Sequence, residues 1–271
     1  MSCKLADKKL IVRGAGEMAS GTAFRLYRAG FRNLLLTEIE APLTVRRLVS
    51  FSPAVYEGTQ TVEGAQAVLI ANPEQAEEIW RAGHMPLLVD PENEGRHVIK
   101  PDVVVDAILA KKNLGTSMDD APLVIGLGPG FCAGGDVHYV VETNRGHNLG
   151  RLIFDGYASP NTGTPGDIGG QSTRRVLRAP SDGIFHSDLE IGVLVEMDQT
   201  IGYVGDTPVK ASLAGALRGL IRPGTPVTNS LKIGDIDPRG DSSYCYTISE
   251  KARAIGGTVL EAIMMRFNTG N

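Results

Sequence analysis

Six runs of consecutive apolar residues in the first half of the chain constrain its fold more than any other feature. They are Leu10 to Val12, "NLLLTE" (33–38), "AVLIA" (67–71), "PLLVD" (86–90), "VVVDAILA" (103–110) and "PLVIGLG" (122–128). A strand that faces solvent on one side alternates apolar and polar residues. A strand buried on both faces does not, and these runs do not alternate. Helical spacing separates some of them. Met18, Ala23 and Leu26 lead to Gly30 after the first run, and "EQAEEIWRAG" lies between the third and fourth. Such alternation predicts a Rossmann-like, doubly wound parallel sheet covered by helices over residues 1–172.

Beyond the turn-rich connection "YASPNTGTPGDIGGQSTRR" (157–175) the pattern changes to short strands broken by glycine and proline. Here the chain repeats itself every 32 residues. Ala179 matches Ala211, Gly183 matches Gly215, Gly192 matches Gly224, Val195 matches Val227, Ile201 matches Ile233, and Gly202 matches Gly234. Two copies of one β-unit sharing a buried face are expected over residues 173–240, as a small barrel or sandwich. Residues 241–271 form a C-terminal segment. Val259, Leu260, Ile263 and Met264 fall on one side of a helix there, Ser249 is its candidate cap, and the helix is expected to pack back on the body.

The net charge of −4 and the absence of a basic run give no support for nucleic-acid binding. No stretch of about 20 apolar residues predicts a membrane span. The N-terminus lacks the apolar core of a signal peptide. Cys3, Cys132 and Cys245 are too few and too widely spaced for a disulfide framework or a zinc site. A cytoplasmic protein with no metal site is expected.

Two glycine-rich stretches carry the candidate chemistry. Gly14-Ala15-Gly16-Glu17-Met18-Ala19 fits G-x-G-x-x-A between a strand and a helix, and Glu38 stands where a ribose ligand is expected. In such a turn the first glycine allows the bend, the second admits a pyrophosphate, and the small third residue lets helix and strand pack. Arg13 could bind the anion or offset Glu17. The alternative is a Rossmann-type turn without a dinucleotide. The second stretch, "GLGPGFCAGGDVH" (126–138), follows a strand at the ligand edge. Gly128 and Gly130 could present backbone N–H groups to an anion, beside Cys132, Asp136 and His138. The alternative is an ordinary surface loop. Lys111 could meet a phosphate or be solvated, His147 lies between two arginines, and "SFSPAVYEG" (50–58) could cover the nucleotide pocket.

The motifs "RGAGEMASGTAFRLYRAGF", "RRLVSFSPAVYEG", "DAILAKKNLGT", "GLGPGF" with "DVH", "VET" and "RGHNLGR", "PNTG" with "IGG", and "KIGDIDPRG" with "ISEKARAIGG" resemble the YqeB family over nearly the whole chain. Members of that family are accessory proteins associated with selenium-dependent molybdenum hydroxylases. The front half is similar, more distantly, to the Rossmann part of XdhC-type maturation factors, although Glu17-Met18 stands where that turn has a histidine after the second glycine. The resemblance implies a maturation factor that serves a molybdenum hydroxylase or its maturation proteins. Its ligand would be a small nucleotide-like molecule such as the molybdenum cofactor in its molybdopterin nucleotide form. A homo-oligomer is compatible with it. The repeat resembles the biotinyl/lipoyl-type barrel-sandwich. Lys210 is a repeat position rather than the hairpin-tip carrier lysine, so no biotin or lipoate is expected. Two other readings stay open: an NAD(P)-dependent oxidoreductase, and a non-enzymatic scaffold with a vestigial turn.

Overall fold

The computed structural model describes residues 5–268, and Cys3 lies outside them. The chain divides into two compact units. The first takes the chain up to Pro42, Ser50–Asn161, and the chain from Ile248 onward; the second takes Leu43–Val49 and Thr162–Thr247. The boundary therefore falls at 161/162 rather than 172, and of the C-terminal segment residues 241–247 belong to the second unit and the chain from Ile248 onward to the first. No helix among the described residues is long and apolar enough to cross a membrane.

The first unit contains β1 (Lys9–Arg13), α1 (Glu17–Arg28), β2 (Asn33–Glu38), α2 (Ala54–Glu57), β3 (Thr59–Val62), β4 (Ala65–Ile70), α3 (Ala76–Arg81) and β5 (Met85–Val89). It continues through α4 (Arg96–Ile99), β6 (Val103–Asp106), β7 (Leu123–Leu127), β8 (Cys132–Ala133), β9 (Tyr139–Val141), β10 (Leu152–Ile153) and β11 (Gly156–Tyr157). The last helix of the chain, α5, also belongs to this unit and spans Glu250–Phe267.

Nine strands form one sheet in the order β10-β9-β7-β6-β1-β2-β5-β4-β3. The pairs from β9 to β4 are parallel, and both edges are antiparallel hairpins. Alternate residues Ile11, Leu35, Val104 and Val124 share one face with Trp80, Ile99 and Phe131 in a single apolar cluster. Trp80 also donates from Nε1 to the carbonyl of Leu34 (3.0 Å).

This mixed sheet corrects the expected Rossmann-like domain. A doubly wound sheet needs a covering helix in each crossover. Between β6 and β7 there is only a three-residue 3₁₀ turn, Met118–Asp120, and between β7 and β9 only the β8 loop. The missing cover is supplied from the other end of the chain, because α5 packs on β7, β9 and α1. Ser249 caps α5, its hydroxyl accepting from the N–H of Ala252 (3.3 Å). The α1–α5 crossing depends on small residues. A Cβ on Gly21 would lie 2.6 Å from the Ala252 Cβ, and one on Gly256 would lie 2.9 Å from the Gly21 carbonyl oxygen.

The second unit contains β12 (Val176–Arg178), β13 (Gly183–His186), β14 (Leu194–Val195), β15 (Thr200–Val204), β16 (Thr207–Lys210), β17 (Gly215–Leu220), β18 (Pro226–Val227) and β19 (Lys232–Asp237). They form two antiparallel sheets of four, β12-β19-β17-β14 and β16-β15-β13-β18. Moving by 32 residues sends β12, β13, β14 and β15 onto β16, β17, β18 and β19. The order of the first sheet then becomes the order of the second, so each sheet holds two strands from each copy. Phe185, Ile201, Leu217 and Ile233 are fully buried in the shared core. The biotinyl/lipoyl-like barrel-sandwich expected from the resemblance is corrected to two four-stranded antiparallel sheets that share one core. Leu43–Val49 joins this unit because Val45 accepts from Leu220 N–H (2.9 Å) and Arg47 Nε donates to the Leu220 carbonyl (2.7 Å).

Candidate functional site

The carboxyl ends of β1, β2 and β6 bring Arg13, Glu38 and Asp106 to one edge of the sheet. Arg13 is only 2% exposed. Its guanidinium donates to the Thr116 hydroxyl and to the Pro91 carbonyl (3.0 Å), and lies 3.4 Å from Asp106 Oδ2. Thr116 in turn donates to the same carboxylate oxygen at 2.6 Å. Burial pushes the Asp106 carboxyl up, opposed by the Thr116 hydroxyl and the Arg13 charge. Arg13 is thus the partner of an internal carboxylate.

In the opening turn the backbone of Ala15 is bonded within the chain. Glu38 accepts from the N–H of Ala15 through Oε2 and from that of Ile39 through Oε1, both at 2.9 Å. Burial raises its carboxyl, against those two backbone bonds. The Ala15 carbonyl accepts from Ser52 N–H (2.9 Å) and from the Ser20 hydroxyl (2.9 Å), and Ser20 accepts from Phe51 N–H (2.8 Å). Ser50, Phe51 and Ser52 are buried. Gly14 lets β1 approach Ala107, whose carbonyl oxygen would lie 3.2 Å from a Cβ there. Gly16 begins α1 without a side-chain cap, and Ala19 is buried beneath it. Glu38 thus takes the Ala15 N–H, and Ser52 and Ser20 take the Ala15 carbonyl.

The second glycine-rich stretch also packs against its own chain. A Cβ on Gly128 would meet Thr143 Oγ1 at 2.5 Å, and one on Gly130 would meet the Lys112 nitrogen at 2.6 Å. These glycines let two loops touch backbone to side chain and backbone to backbone. Lys111 is exposed on the facing loop, in the left-handed region at φ +64°. His138 Nδ1 accepts from Val124 N–H (3.0 Å), while the His138 backbone N–H donates to the Val124 carbonyl (2.9 Å). Burial, and then the Arg266 charge, hold the imidazole below its ordinary value. Asp136 Oδ2 accepts from Cys132 N–H at 2.8 Å. Cys132 is half-buried and pairs across β8–β11 with Tyr157, and its thiol donates to the Ala133 carbonyl (3.7 Å). The Cys132 side chain, followed by burial and the Asp136 charge, raises the Tyr157 phenol above its ordinary value.

Tyr157 leads to a pocket of which the sequence had marked only Arg151, one of the two arginines around His147. A pocket of about 350 Å³ is lined by Glu142, Arg151, Phe154, Asp155, Tyr157 and Ser159, with Asn148, Leu152 and Ile153 beside them. Glu142, at its floor, is 3% exposed. Its Oε1 accepts from Asn144 N–H and its Oε2 from Ser159 N–H, both at 2.7 Å. Burial alone would raise this carboxyl. The bonds from Asn144, from the Ser159 hydroxyl and N–H, and from Thr143 outweigh burial and hold it below the ordinary carboxylate range. Glu142 is an anion solvated by protein, and it ties the Thr143–Asn144 turn to the β11 exit.

The walls differ from the floor. Arg151 and Asp155 line the pocket, are exposed, and have no side-chain hydrogen bond or ion pair among the described residues. Phe154 and Tyr157 are 55% and 70% exposed, and Phe154 stands edge-on to Tyr139 at 5.3 Å. Of the residues singled out from the sequence, Cys132 and Asp136 border this region through Tyr157. Arg13, Glu38 and His138 are each held in their own bonds. His147 is exposed, and its neighbour Arg145 pairs with Glu250. Among the described residues no three His, Cys, Asp or Glu side chains gather as a metal site.

These observations define an α/β unit with a polar, aromatic-walled pocket, in one chain with a duplicated antiparallel β unit. No family model matches the chain. It is 50% identical over 261 residues to YqeB of Escherichia coli (strain K12), which is described as uncharacterized. The match covers 96% of this chain and 48% of that protein, so the chain spans about half the length of the relative. The resemblance to YqeB is thereby supported, and the XdhC link is not carried with it.

Similar solved structures bear other names. A succinylglutamate desuccinylase/aspartoacylase from Rhodobacter sphaeroides shares 14% identity, covering 84% of this chain and 86% of that one at a TM-score of 0.26. An aspartoacylase family protein from Mesorhizobium loti shares 11% identity, with 84% of each chain covered and a TM-score of 0.27. The ectoine utilization protein EutE from Ruegeria pomeroyi shares 12%, covering 84% and 85% at 0.26. Likeness at this level carries no argument about activity. The comparisons do not support the expected role in molybdenum hydroxylase maturation, because the relative is described as uncharacterized.

Proposed function

We propose that the α/β unit is a binding module for a small polar molecule, held in the pocket beside the β10–β11 hairpin. One observation carries this reading. The floor carboxylate, Glu142, is saturated by hydrogen bonds, whereas the charged groups on the wall, Arg151 and Asp155, have no partner among the described residues. A carboxylate held ionised by backbone donors organises a site and is a poor proton acceptor near neutral pH. Unpaired charges in a polar pocket are suited to recognition, because placed polar groups fix the orientation of a ligand.

The test is a titration followed by backbone amide NMR. The probes are sodium acetate, inorganic phosphate, the twenty standard amino acids, NAD and a molybdopterin nucleotide. Saturable shifts clustered in residues 142–159, lost in Arg151→Met, support the reading. No shift there with any probe sinks it.

A further inference from the structure

Accepting that the pocket binds a small molecule, we infer that its ligand is a zwitterion of the α-amino-acid class, with its carboxylate on Arg151 and its ammonium on Asp155. The two charges are four residues apart at opposite ends of the short β10 segment and its turn, and both line the same cavity. Opposite charges that close on one another would form a surface ion pair. Arg151 and Asp155 form no such pair, and neither takes a third partner among the described residues. A ligand carrying both charges can therefore enter between them, and each of its groups meets its complement.

The remaining walls agree with this assignment. A guanidinium presents a planar fork of donors that matches a carboxylate, and this geometry favours a carboxylate over a spherical anion. An ammonium gains from a carboxylate and from aromatic rings, and Phe154 and Tyr157 line the same pocket as Asp155. Glu142 adds a fixed negative charge at the floor, which weakens binding of a purely anionic ligand and favours one that brings a cation. The volume of about 350 Å³ suits a molecule of amino-acid size and is at the small end for a cofactor. Leu152, Ile153 and the two rings supply an apolar surface for the side chain.

The experiment uses the full chain and isothermal titration calorimetry. The twenty standard amino acids are titrated first. The tightest binder is then compared with its N-acetyl derivative, which lacks the ammonium, and with its primary amide, which lacks the carboxylate. Either derivative should bind at least tenfold more weakly. Arg151→Met should erase the preference over the amide, and Asp155→Asn the preference over the N-acetyl form. Both positions are exposed, and circular dichroism checks that both variants keep the fold. If a single-charge probe such as acetate binds in the pocket while none of the twenty amino acids does, the zwitterion assignment falls and the pocket reading survives. The assignment falls in the same way if both derivatives bind within twofold of the parent. If no probe binds near residues 142–159, both fall together.

Discussion

Replacing Glu142 by glutamine tests whether this carboxylate builds the pocket. The substitution keeps the side-chain length and shape. It exchanges one carboxylate oxygen for an NH₂ group and removes the charge. One of the two 2.7 Å bonds, to Asn144 N–H or Ser159 N–H, then becomes a donor facing a donor. Losing a hydrogen bond to a charged group costs about 1.5–3 kcal/mol. The bonds that remain fall from charge-assisted to neutral, which weakens them roughly by half. The expected loss is about 2–4 kcal/mol, or roughly 4–16 °C in the midpoint of the unit that contains it. The chain has two units, so the two transitions must be resolved in the calorimetric trace before a value is assigned. Hydrogen exchange should localise the loosening to the Thr143–Asn144 turn and the β11 exit. The pH dependence has a definite sign. The folded pKa of Glu142 lies below its ordinary value of 4.5, so its contribution is complete above that value and is lost as the pH falls through the folded pKa. The glutamine variant should lack this part of the acid limb. A variant within about 0.5 kcal/mol of the parent, with unchanged exchange in residues 142–159, would refute the role given to Glu142.

Three further outcomes follow from other parts of the structure. Gly21→Val should destabilise the α/β unit by about 1–3 kcal/mol or more, because the added Cβ alone would sit 2.6 Å from the Ala252 Cβ; urea denaturation measures it. Asp106→Leu should cost about 3–5 kcal/mol by leaving Arg13 buried without a carboxylate, and adding Arg13→Met should recover most of that loss in the same assay. Cys132→Ala should lower the alkaline titration of Tyr157 toward the ordinary tyrosine range, since the Cys132 side chain across the β8–β11 pair is the first cause of its rise; ultraviolet absorbance follows the phenol, and an unchanged titration would contradict that influence.

Much of the architecture was readable from residue order alone. Leu10–Val12, Leu34–Leu36, Val103–Val105 and Leu123–Leu127 are buried on both faces, so their unbroken apolar character reports their place in the sheet directly. The 32-residue register maps strand onto strand because the same glycines and apolar residues recur wherever the two sheets share a core. The edge hairpin β3–β4 was only half visible, since "TQTV" alternates and faces solvent. The origin of the covering helix was hidden as well. Nothing local in "EKARAIGG" shows that Gly256 meets Gly21 from the other end of the chain.

The site was less readable, for a physical reason. A G-x-G-x-x-A turn specifies backbone shape, and it cannot say whether a ligand or the chain's own Glu38 fills the N–H groups. Glu142 gains its role from N–H groups of Asn144 and Ser159, which only the folded loops bring together. Arg151 and Asp155 look like ordinary surface charges until the hairpin sets them around one cavity. The signals available for this site were the acid ending a strand before "TNRGHNLGR" and the arginine pair around His147, of which Arg151 lines the pocket.

The proposed binding site of the α/β unit lies beside the β10–β11 hairpin and not on the opening turn. An amide chemical-shift map of the full chain, titrated with the tightest-binding amino acid, separates the two places directly. Saturable shifts should concentrate in residues 142–159 and leave Gly14–Ala19 unmoved. Shifts centred on Gly14–Ala19, or no saturable shift in residues 142–159, would contradict the proposed site.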